Sequence, residues 1–227
     1  MNCSALVRPV DVSPIRSPQA VHTALLSIFQ DKDLVEIGTR NGDGMECYAH
    51  VAKSAKAIEH QTQYCRRLRL RNSTLFNASQ KHFDVSCKDY RVAGVLDADY
   101  VLWWHERPHL VDSTILWHLN EEARRGLIRR DARAVVLSDL QSKEDAPSWR
   151  LLKTMAERRF EVPFNEYLAC RRGLRGRSLD LCRRARGGFG VTIIRAMDVN
   201  RTTLHELIET RKRVIEKKKS WPWSVWG

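Results

Sequence analysis

The chain has 227 residues, which is enough for one large domain and too few for two of ordinary size. Hydrophobic residues make up 43% of it and charged residues 29%, as in ordinary globular proteins. No apolar run approaches the ~18 residues that a membrane helix needs, so we expect no membrane partner. The net charge of +12 is uneven, because the chain from Arg150 onward has 19 Lys and Arg against eight Asp and Glu.

Short apolar runs alternate with longer amphipathic segments along the first two thirds of the chain. A helix is predicted to start at Ser17 and Pro18, and a first strand follows over residues 34–37, where an apolar run stops at Gly38. Further strands are predicted over residues 57–59, 83–87, 100–104 and 134–137, and helices over residues 43–56, 61–71, 112–130 and 146–159. This alternation requires right-handed crossovers, so we predict an α/β fold with a mostly parallel sheet covered by helices on both faces.

The end of the chain breaks this alternation. Residues 160–164 and 190–196 have the pattern of strands, and the stretch between them is rich in Arg and Gly without a clear crossover helix. Two such strands predict an antiparallel pair at a sheet edge. A final helix is predicted from a capping box of Thr203 and Glu206 to about Lys219. We therefore divide the chain into an extension (1–17), one domain (18–219) and a Trp-rich tail (220–227).

A glycine-rich loop follows the first predicted strand. Gly38, Gly42 and Gly44 lie directly between a strand and a helix, where they let the backbone turn sharply and approach a ligand closely. Glu59 ends the second predicted strand about 20 residues further on, where a carboxylate can accept hydrogen bonds from both hydroxyls of a ribose. The combination predicts an adenosine-containing ligand. A glycine-rich turn without a ligand and a solvated carboxylate are the alternatives.

Two features favour S-adenosylmethionine over a dinucleotide. The glycine spacing is G-x-x-x-G-x-G, and not the G-x-G-x-x-G that brings a helix N-terminus onto a pyrophosphate. Glu36 also lies inside the motif. A carboxylate is favourable beside a sulfonium and an ammonium group, and unfavourable beside a pyrophosphate.

The segment VEIGTRNGDG (Val35 to Gly44) with AIEH (Ala57 to His60) resembles the first two motifs of class I S-adenosylmethionine-dependent methyltransferases. That family has a seven-stranded sheet whose last two strands form an antiparallel hairpin at one edge. Arg40 replaces the middle glycine of the commoner motif, and the last two glycines come one residue later. The resemblance implies methionine contacts near Gly38, a ribose contact at Glu59 and an adenine contact at Asp89. In full, the implied cofactor-binding residues are Glu36, Gly38, Thr39, Gly42, Gly44, Glu59, His60 and Asp89.

The substrate-facing motif of the family follows the fourth strand, which here is followed by His105 and Glu106. Methyl transfer from a sulfonium needs an aligned nucleophile and sometimes a base that deprotonates it. His105 has a suitable ordinary pKa, and Glu106 is the other candidate base. Alternatively, both residues only cap a strand. The segment lacks the D/N-P-P-Y/F of many amino-group methyltransferases, so no acceptor type is implied, and the histidines show no spacing of metal ligands.

Two basic segments run from Arg171 to Arg186 and from Arg211 to Lys219. They are candidate contacts for a nucleic acid, and the tail tryptophans are candidate stacking partners for bases. We favour the alternative that they are solvated, because blocks of like charge usually are. Three functions stay open at this point: methyl transfer, an NAD(P)-dependent oxidoreductase, and a non-catalytic domain that binds RNA or a protein partner through its basic C-terminal third.

The six cysteines are scattered and include no C-x-x-C pair. We therefore predict reduced thiols in an intracellular compartment. The first ten residues lack the pattern of a secretory signal, which favours a cytoplasmic location. Arg8, Ser13, Arg16 and Ser17 leave an organellar transit peptide open.

Overall fold

Seven strands form one sheet in the computed structural model, which describes residues 1–8, 10, 19–105, 110–139, 154–162, 189–206 and 208–209. The strands are β1 (Asp33–Ile37), β2 (Ser54–Ile58), β3 (Asp84–Ser86), β4 (Tyr100–Trp104), β5 (Arg133–Asp139), β6 (Arg158–Val162) and β7 (Phe189–Arg195). The helices are α1 (Cys3–Leu6), α2 (Gln19–Phe29), α3 (Asp43–Tyr48), α4 (Thr62–Ser79) and α5 (Leu110–Arg124). Residues 201–206 and 208–209 are also helical.

The strand order is β3-β2-β1-β4-β5-β7-β6. Strands β1 to β5 pair in parallel, and β7 runs antiparallel to both β5 and β6. The predicted fold, a mostly parallel seven-stranded sheet with an antiparallel C-terminal pair, is confirmed. The order reverses between β1 and β4, and open α/β sheets bind ligands beside such a reversal, outside the carboxyl ends of the strands.

Each face of the sheet carries its own hydrophobic core, because successive side chains of a strand point to opposite faces. Leu34 of β1 and Leu102 of β4 pack on the face that α1, α2, α3 and α4 cover. Val35 and Val101, their neighbours, pack on the other face against α5 and the C-terminal end of the described chain. This two-faced burial is why the strands are short, nearly continuous apolar runs.

Several predicted boundaries were wrong. The helix predicted over residues 43–56 ends at Tyr48, because the following turn returns the chain to the start of β1, where the Lys53 amide donates to the carbonyl of Lys32. The last helix is capped by Asn200, whose side chain accepts from the Thr203 amide, and not by Thr203. The helix predicted over residues 146–159 lies mostly outside the described residues, but its last two positions belong to β6. Both predicted domain boundaries also lie outside the described residues.

The prediction of reduced thiols was wrong for four of the six cysteines. Cys3 bonds to Cys47 and thereby fastens α1 to α3, while Cys65 bonds to Cys87 and fastens α4 to the turn after β3. Partners 44 and 22 residues apart leave no local pattern, so spacing along the chain could not reveal them. Disulfides persist in oxidising compartments, which removes the argument for an intracellular location. Cys170 and Cys182 lie outside the described residues.

Candidate cofactor and active site

Three segments that the sequence singled out meet at the carboxyl edge of the sheet. Ile37, the last residue of β1, pairs with Ile58 of β2 on one side and with Trp103 of β4 on the other. The glycine loop, Glu59 and His105 follow these strand ends, so they lie along one edge. The amide of His105 donates to the carbonyl of Leu137 at 2.7 Å, which extends the sheet pairing to that residue.

The loop turns away from β1 at Gly38, which has a φ of +71°, a conformation that favours glycine. Its amide donates to the carbonyl of Ile58 at 2.8 Å, and the Thr39 hydroxyl donates back to the carbonyl of Glu36 at 3.0 Å. A Cβ added to Gly38 would meet no atom of the described residues within 4 Å. The backbone therefore borders open space at the position where the resemblance places the methionine moiety.

The other two glycines of the motif have packing partners inside the protein. A Cβ on Gly42 would lie 2.6 Å from Leu68 of α4, and a Cβ on Gly44 would lie 2.7 Å from the ring of His22. Such distances are far below ordinary contact, so a side chain at either position would displace its neighbours. Glycine is required here by the approach of α2 and α4 to the loop.

Arg40, which replaces the middle glycine of the commoner motif, adopts the left-handed conformation with φ of +55°. Its guanidinium donates to the hydroxyl of Tyr64 at 2.9 Å and lies 5.1 Å from the centre of that ring. Its amide donates to Oε2 of Glu59 at 3.0 Å. These contacts offset the steric cost of a side chain in this conformation and connect the loop to the end of β2.

The carboxylate of Glu59 is buried, with 2% of the residue exposed. Besides the Arg40 amide on Oε2, its Oε1 accepts from the amide of Gln61 at 2.8 Å, and Nδ1 of the exposed His60 lies 3.6 Å from the same oxygen. A carboxylate has about four acceptor positions, so two backbone donors leave capacity for ligand hydroxyls. Those hydroxyls would have to displace part of the cover over Glu59.

A buried polar cluster lies beneath the loop and was not predicted. The hydroxyl of Tyr48, on α3, is hydrogen-bonded to Nδ1 of His22, on α2, at 2.6 Å. Burial lowers the pKa of His22 to about 3, and burial together with the negative charge of Glu36 raises the pKa of Tyr48 well above its ordinary value. Both side chains are therefore neutral near pH 7, next to the buried carboxylate of Glu36. In the sequence, these two residues are indistinguishable from other members of buried helix faces.

His105 is held by a carboxylate that sequence analysis missed. Its Nδ1 is hydrogen-bonded to Oδ2 of Asp112 in the first turn of α5, and Oδ1 of Asp112 accepts from the indole of Trp103 at 2.7 Å. The side chains of His105 and Asp112 are 2% and 1% exposed. An aspartate on one ring nitrogen orients the imidazole and leaves Nε2 as the basic atom. The only sequence signal was an aspartate shortly after His105, which is also a common residue in a first helical turn.

The remaining predicted positions differ in their surroundings. Asp89 binds the guanidinium of Arg91 with both oxygens at 2.8 Å, and this pairing lowers the pKa of Asp89 to about 2. An adenine contact would therefore compete with Arg91. Glu106 and the two basic segments lie outside the described residues. Among the described residues, no group of three His, Cys, Asp or Glu could hold a metal ion, and no helix is long and apolar enough to cross a membrane.

The fold of this chain is similar to that of several proteins of known structure. An RNA methyltransferase from Salinibacter ruber, in complex with S-adenosyl-L-homocysteine, aligns with 80% of this chain and 94% of its own at a TM-score of 0.53 and 13% identity. The C-terminal domain of precorrin-6Y C5,15-methyltransferase from Rhodobacter capsulatus aligns with 70% of this chain and 80% of its own at a TM-score of 0.50 and 13% identity. This chain has the Rossmann-like methyltransferase fold.

The cyclase SpnF also shares this fold, with a TM-score of 0.53, 14% identity, 78% of this chain and 80% of its own aligned. No family model matches the sequence, and no curated protein matches it either. Identities this low establish architecture alone. The chemistry must be argued from the residues at the carboxyl edge.

Proposed function

We propose that this protein binds S-adenosylmethionine at the carboxyl edge of its sheet and transfers the methyl group to an acceptor that His105 deprotonates. The observation that carries the proposal is that His105, oriented by Asp112, lies at the same edge as the open turn at Gly38 and the carboxylate of Glu59. A donor group and a base must be close together for methyl transfer, and the adjacent ends of β1 and β4 support this arrangement.

The residues of the edge fit the cofactor in three respects. Gly38 borders unfilled space, which suits close approach of the methionine moiety to the backbone. Glu36 is 3% exposed, and a buried carboxylate attracts the positive charges of a sulfonium and an ammonium group. Glu59 retains acceptor capacity for ribose hydroxyls. When bound, the cofactor supplies an electrophilic methyl group.

His105 and Asp112 supply the base. Because Asp112 occupies Nδ1, Nε2 of His105 takes the proton from the acceptor, and the Asp112 carboxylate stabilises the imidazolium that forms. Trp103 in turn donates to Asp112 and fixes its orientation. Since His105 is buried, the acceptor must displace part of the cover over the ring before it reaches Nε2.

Calorimetric titration of the purified full chain tests the cofactor site. We expect S-adenosylmethionine and S-adenosylhomocysteine to bind with micromolar affinity, and NAD not to bind. Glu59→Gln should weaken both by at least tenfold, since an amide accepts fewer hydrogen bonds from a ribose. Glu157→Gln is the matched control, because Glu157 pairs with Arg133 at the opposite edge of the sheet and should not affect binding. Absence of binding at millimolar ligand would refute the proposal.

The same preparations separate binding from catalysis. With fractions of RNA, protein and small molecules as candidate acceptors, we expect formation of S-adenosylhomocysteine above the acceptor-free rate with at least one fraction. Asp112→Asn should lower that rate about a hundredfold or more, as loss of an orienting aspartate does elsewhere, while cofactor affinity stays unchanged. Binding without turnover on every fraction would leave a cofactor-binding domain and exclude the base role of His105.

A further inference from the structure

Helix α4 is strongly basic. It contains Arg66, Arg67, Arg69 and Arg71, and no Asp or Glu occurs anywhere from His60 to Phe83. The helix packs on the sheet through buried Leu68 and Leu75 and is otherwise largely exposed. A helix with several cations and no anion lacks the pairs that usually balance charge along a solvated helix face.

Two of the four arginines are used inside the protein. Arg67 donates to the side chain of Asn41 at 3.1 Å, and Arg71 contacts Asp43 at 2.8 Å and Glu46 at 2.5 Å. These bonds anchor α4 to the glycine loop and to α3. Asp43 and Glu46 neutralise Arg71, whereas Arg67 bonds to the neutral side chain of Asn41 and keeps its charge.

The other two arginines point to solvent. Arg66 and Arg69 are exposed, and neither guanidinium makes a hydrogen bond or ion pair within the described part of the chain. Because they are three residues apart, they lie on the same side of the helix. Their charges are therefore available to an external anion.

Apolar groups share this surface. Leu70 is 69% exposed and Phe76 is 45% exposed, and Phe76 meets the exposed His82 edge to face at 6.3 Å between ring centres. On a helix, Arg66, Arg69, Leu70 and Phe76 fall within one solvent-facing sector. We call these four residues and His82 the α4 face.

We infer that the α4 face binds single-stranded nucleic acid. The unpaired arginines attract phosphates, and the exposed rings of Phe76 and His82, which follow them along the chain, give bases a stacking surface. Bases of a single strand can stack on these rings, whereas the bases of a duplex are already paired and stacked on one another. The alternative is a solvated helix that binds nothing, which unchanged RNA binding in the α4 variant would show. This inference does not depend on methyl transfer, because binding is measured without cofactor.

Fluorescence anisotropy of the full chain with a labelled 20-nucleotide single-stranded RNA tests it, at several salt concentrations. Arg66→Glu/Arg69→Glu should weaken binding at least tenfold and make log Kd less dependent on log salt by about 0.7 for each lost phosphate contact. The matched control is Arg124→Glu/Arg125→Glu, which changes the net charge equally. That pair is also exposed but lies at the end of α5, which covers the other face of the sheet.

A tenfold loss in the α4 variant with less than a twofold loss in the control supports the inference. Equal losses in both variants would show that binding follows net charge alone and would overturn the inference, as would unchanged binding in the α4 variant.

Phe76→Ala keeps the charge and should weaken the binding of single-stranded RNA more than the binding of an RNA duplex. Equal effects on both would exclude stacking. Thermal melting verifies that each variant is folded. If Arg66→Glu/Arg69→Glu is unfolded, Arg66→Gln/Arg69→Gln, which removes the charges without reversing them, takes its place.

Discussion

At the scale of single residues, the three glycines of the loop motif have different physical roles. Gly38 needs a positive φ and borders open space, whereas a Cβ on Gly44 would lie 2.7 Å from His22 and 3.1 Å from Tyr48. A side chain at Gly38 would therefore enter the proposed ligand space, and one at Gly44 would disturb the buried cluster. The motif thus combines a turn beside the proposed ligand space with the packing of α2 against α3.

His22 gives the molecule a pH dependence that can be measured. Burial lowers its pKa to about 3, while an unfolded chain has a histidine pKa of about 6.5. As the pH falls below 6.5, the unfolded state binds the proton first, so the free energy of unfolding should fall by up to about 1.4 kcal/mol per pH unit. The loss should end only near the folded-state pKa of about 3.

Urea unfolding between pH 4.5 and 7.5 measures this slope. His22→Leu should flatten it, although the variant is less stable overall because the Tyr48 hydroxyl loses its partner. His60→Leu removes an exposed histidine and serves as the control that keeps the slope. The same slope in His22→Leu as in the unaltered protein would contradict the assignment.

At the scale of elements, Arg129 connects the starts of two neighbouring strands. Its guanidinium donates to Asp99 at 2.8 Å and to Asp97 at 3.2 Å, just before β4, and to Asp33 at 3.3 Å, the first residue of β1. Three carboxylates around one guanidinium would repel one another without it. This group organises the amino edge of the sheet, away from the candidate site.

Arg129→Met should lower the free energy of unfolding by about 1 kcal/mol at pH 7, since the guanidinium is partly exposed and screened. The hydrogen bond from Arg129 lowers the pKa of Asp97, so its stabilising contribution is present above pH ~4 and is lost as the pH falls through the folded-state value. Acidification from pH 7 to below pH 4 should therefore lower the free energy of unfolding less in Arg129→Met than in the unaltered protein. Arg130→Met, at an exposed neighbour, is the control for unfolding titrations; equal losses in the two variants would exclude the connecting role.

At the scale of the whole molecule, the two disulfides join parts that the sheet does not join. Cys3 to Cys47 fastens the N-terminal helix to α3, and Cys65 to Cys87 fastens α4 to the turn after β3. Each closes a long loop in the unfolded chain, which typically stabilises a protein by about 2–4 kcal/mol. Both bridges lie on the α1–α4 side, which also carries the glycine loop.

Reduction should therefore lower the melting temperature clearly, and the paired variants Cys3→Ser/Cys47→Ser and Cys65→Ser/Cys87→Ser should each show part of that loss. Thermal melting with and without dithiothreitol measures it. Alkylation under denaturing conditions without reductant, followed by peptide mapping, is the direct check. We expect these four cysteines to be protected, and their alkylation would contradict the pairing.

Much of the architecture followed from local signals in the sequence. Short apolar runs that end at turn residues predicted β1, β4 and β5, and the absence of a crossover helix predicted the antiparallel pair. Helix ends were less predictable, because α3 stops where the chain pairs with residues before β1 and not at a breaker in its own sequence. The glycine loop and Glu59 were also found locally, since turn residues and strand-end carboxylates leave a signal at fixed spacing.

The sequence by itself determined the fold class, and it predicted the glycine loop and the strand-end carboxylate around which the ligand site is proposed. Only the tertiary structure decided that β7 lies between β5 and β6, that Asp112 orients His105, that His22 contacts Tyr48 and which cysteines pair. Periodicity and turn preference are properties of neighbouring residues. Hydrogen bonds, disulfides and burial depend on distances between residues that are far apart in the chain, and only the packed sheet and helices set those distances.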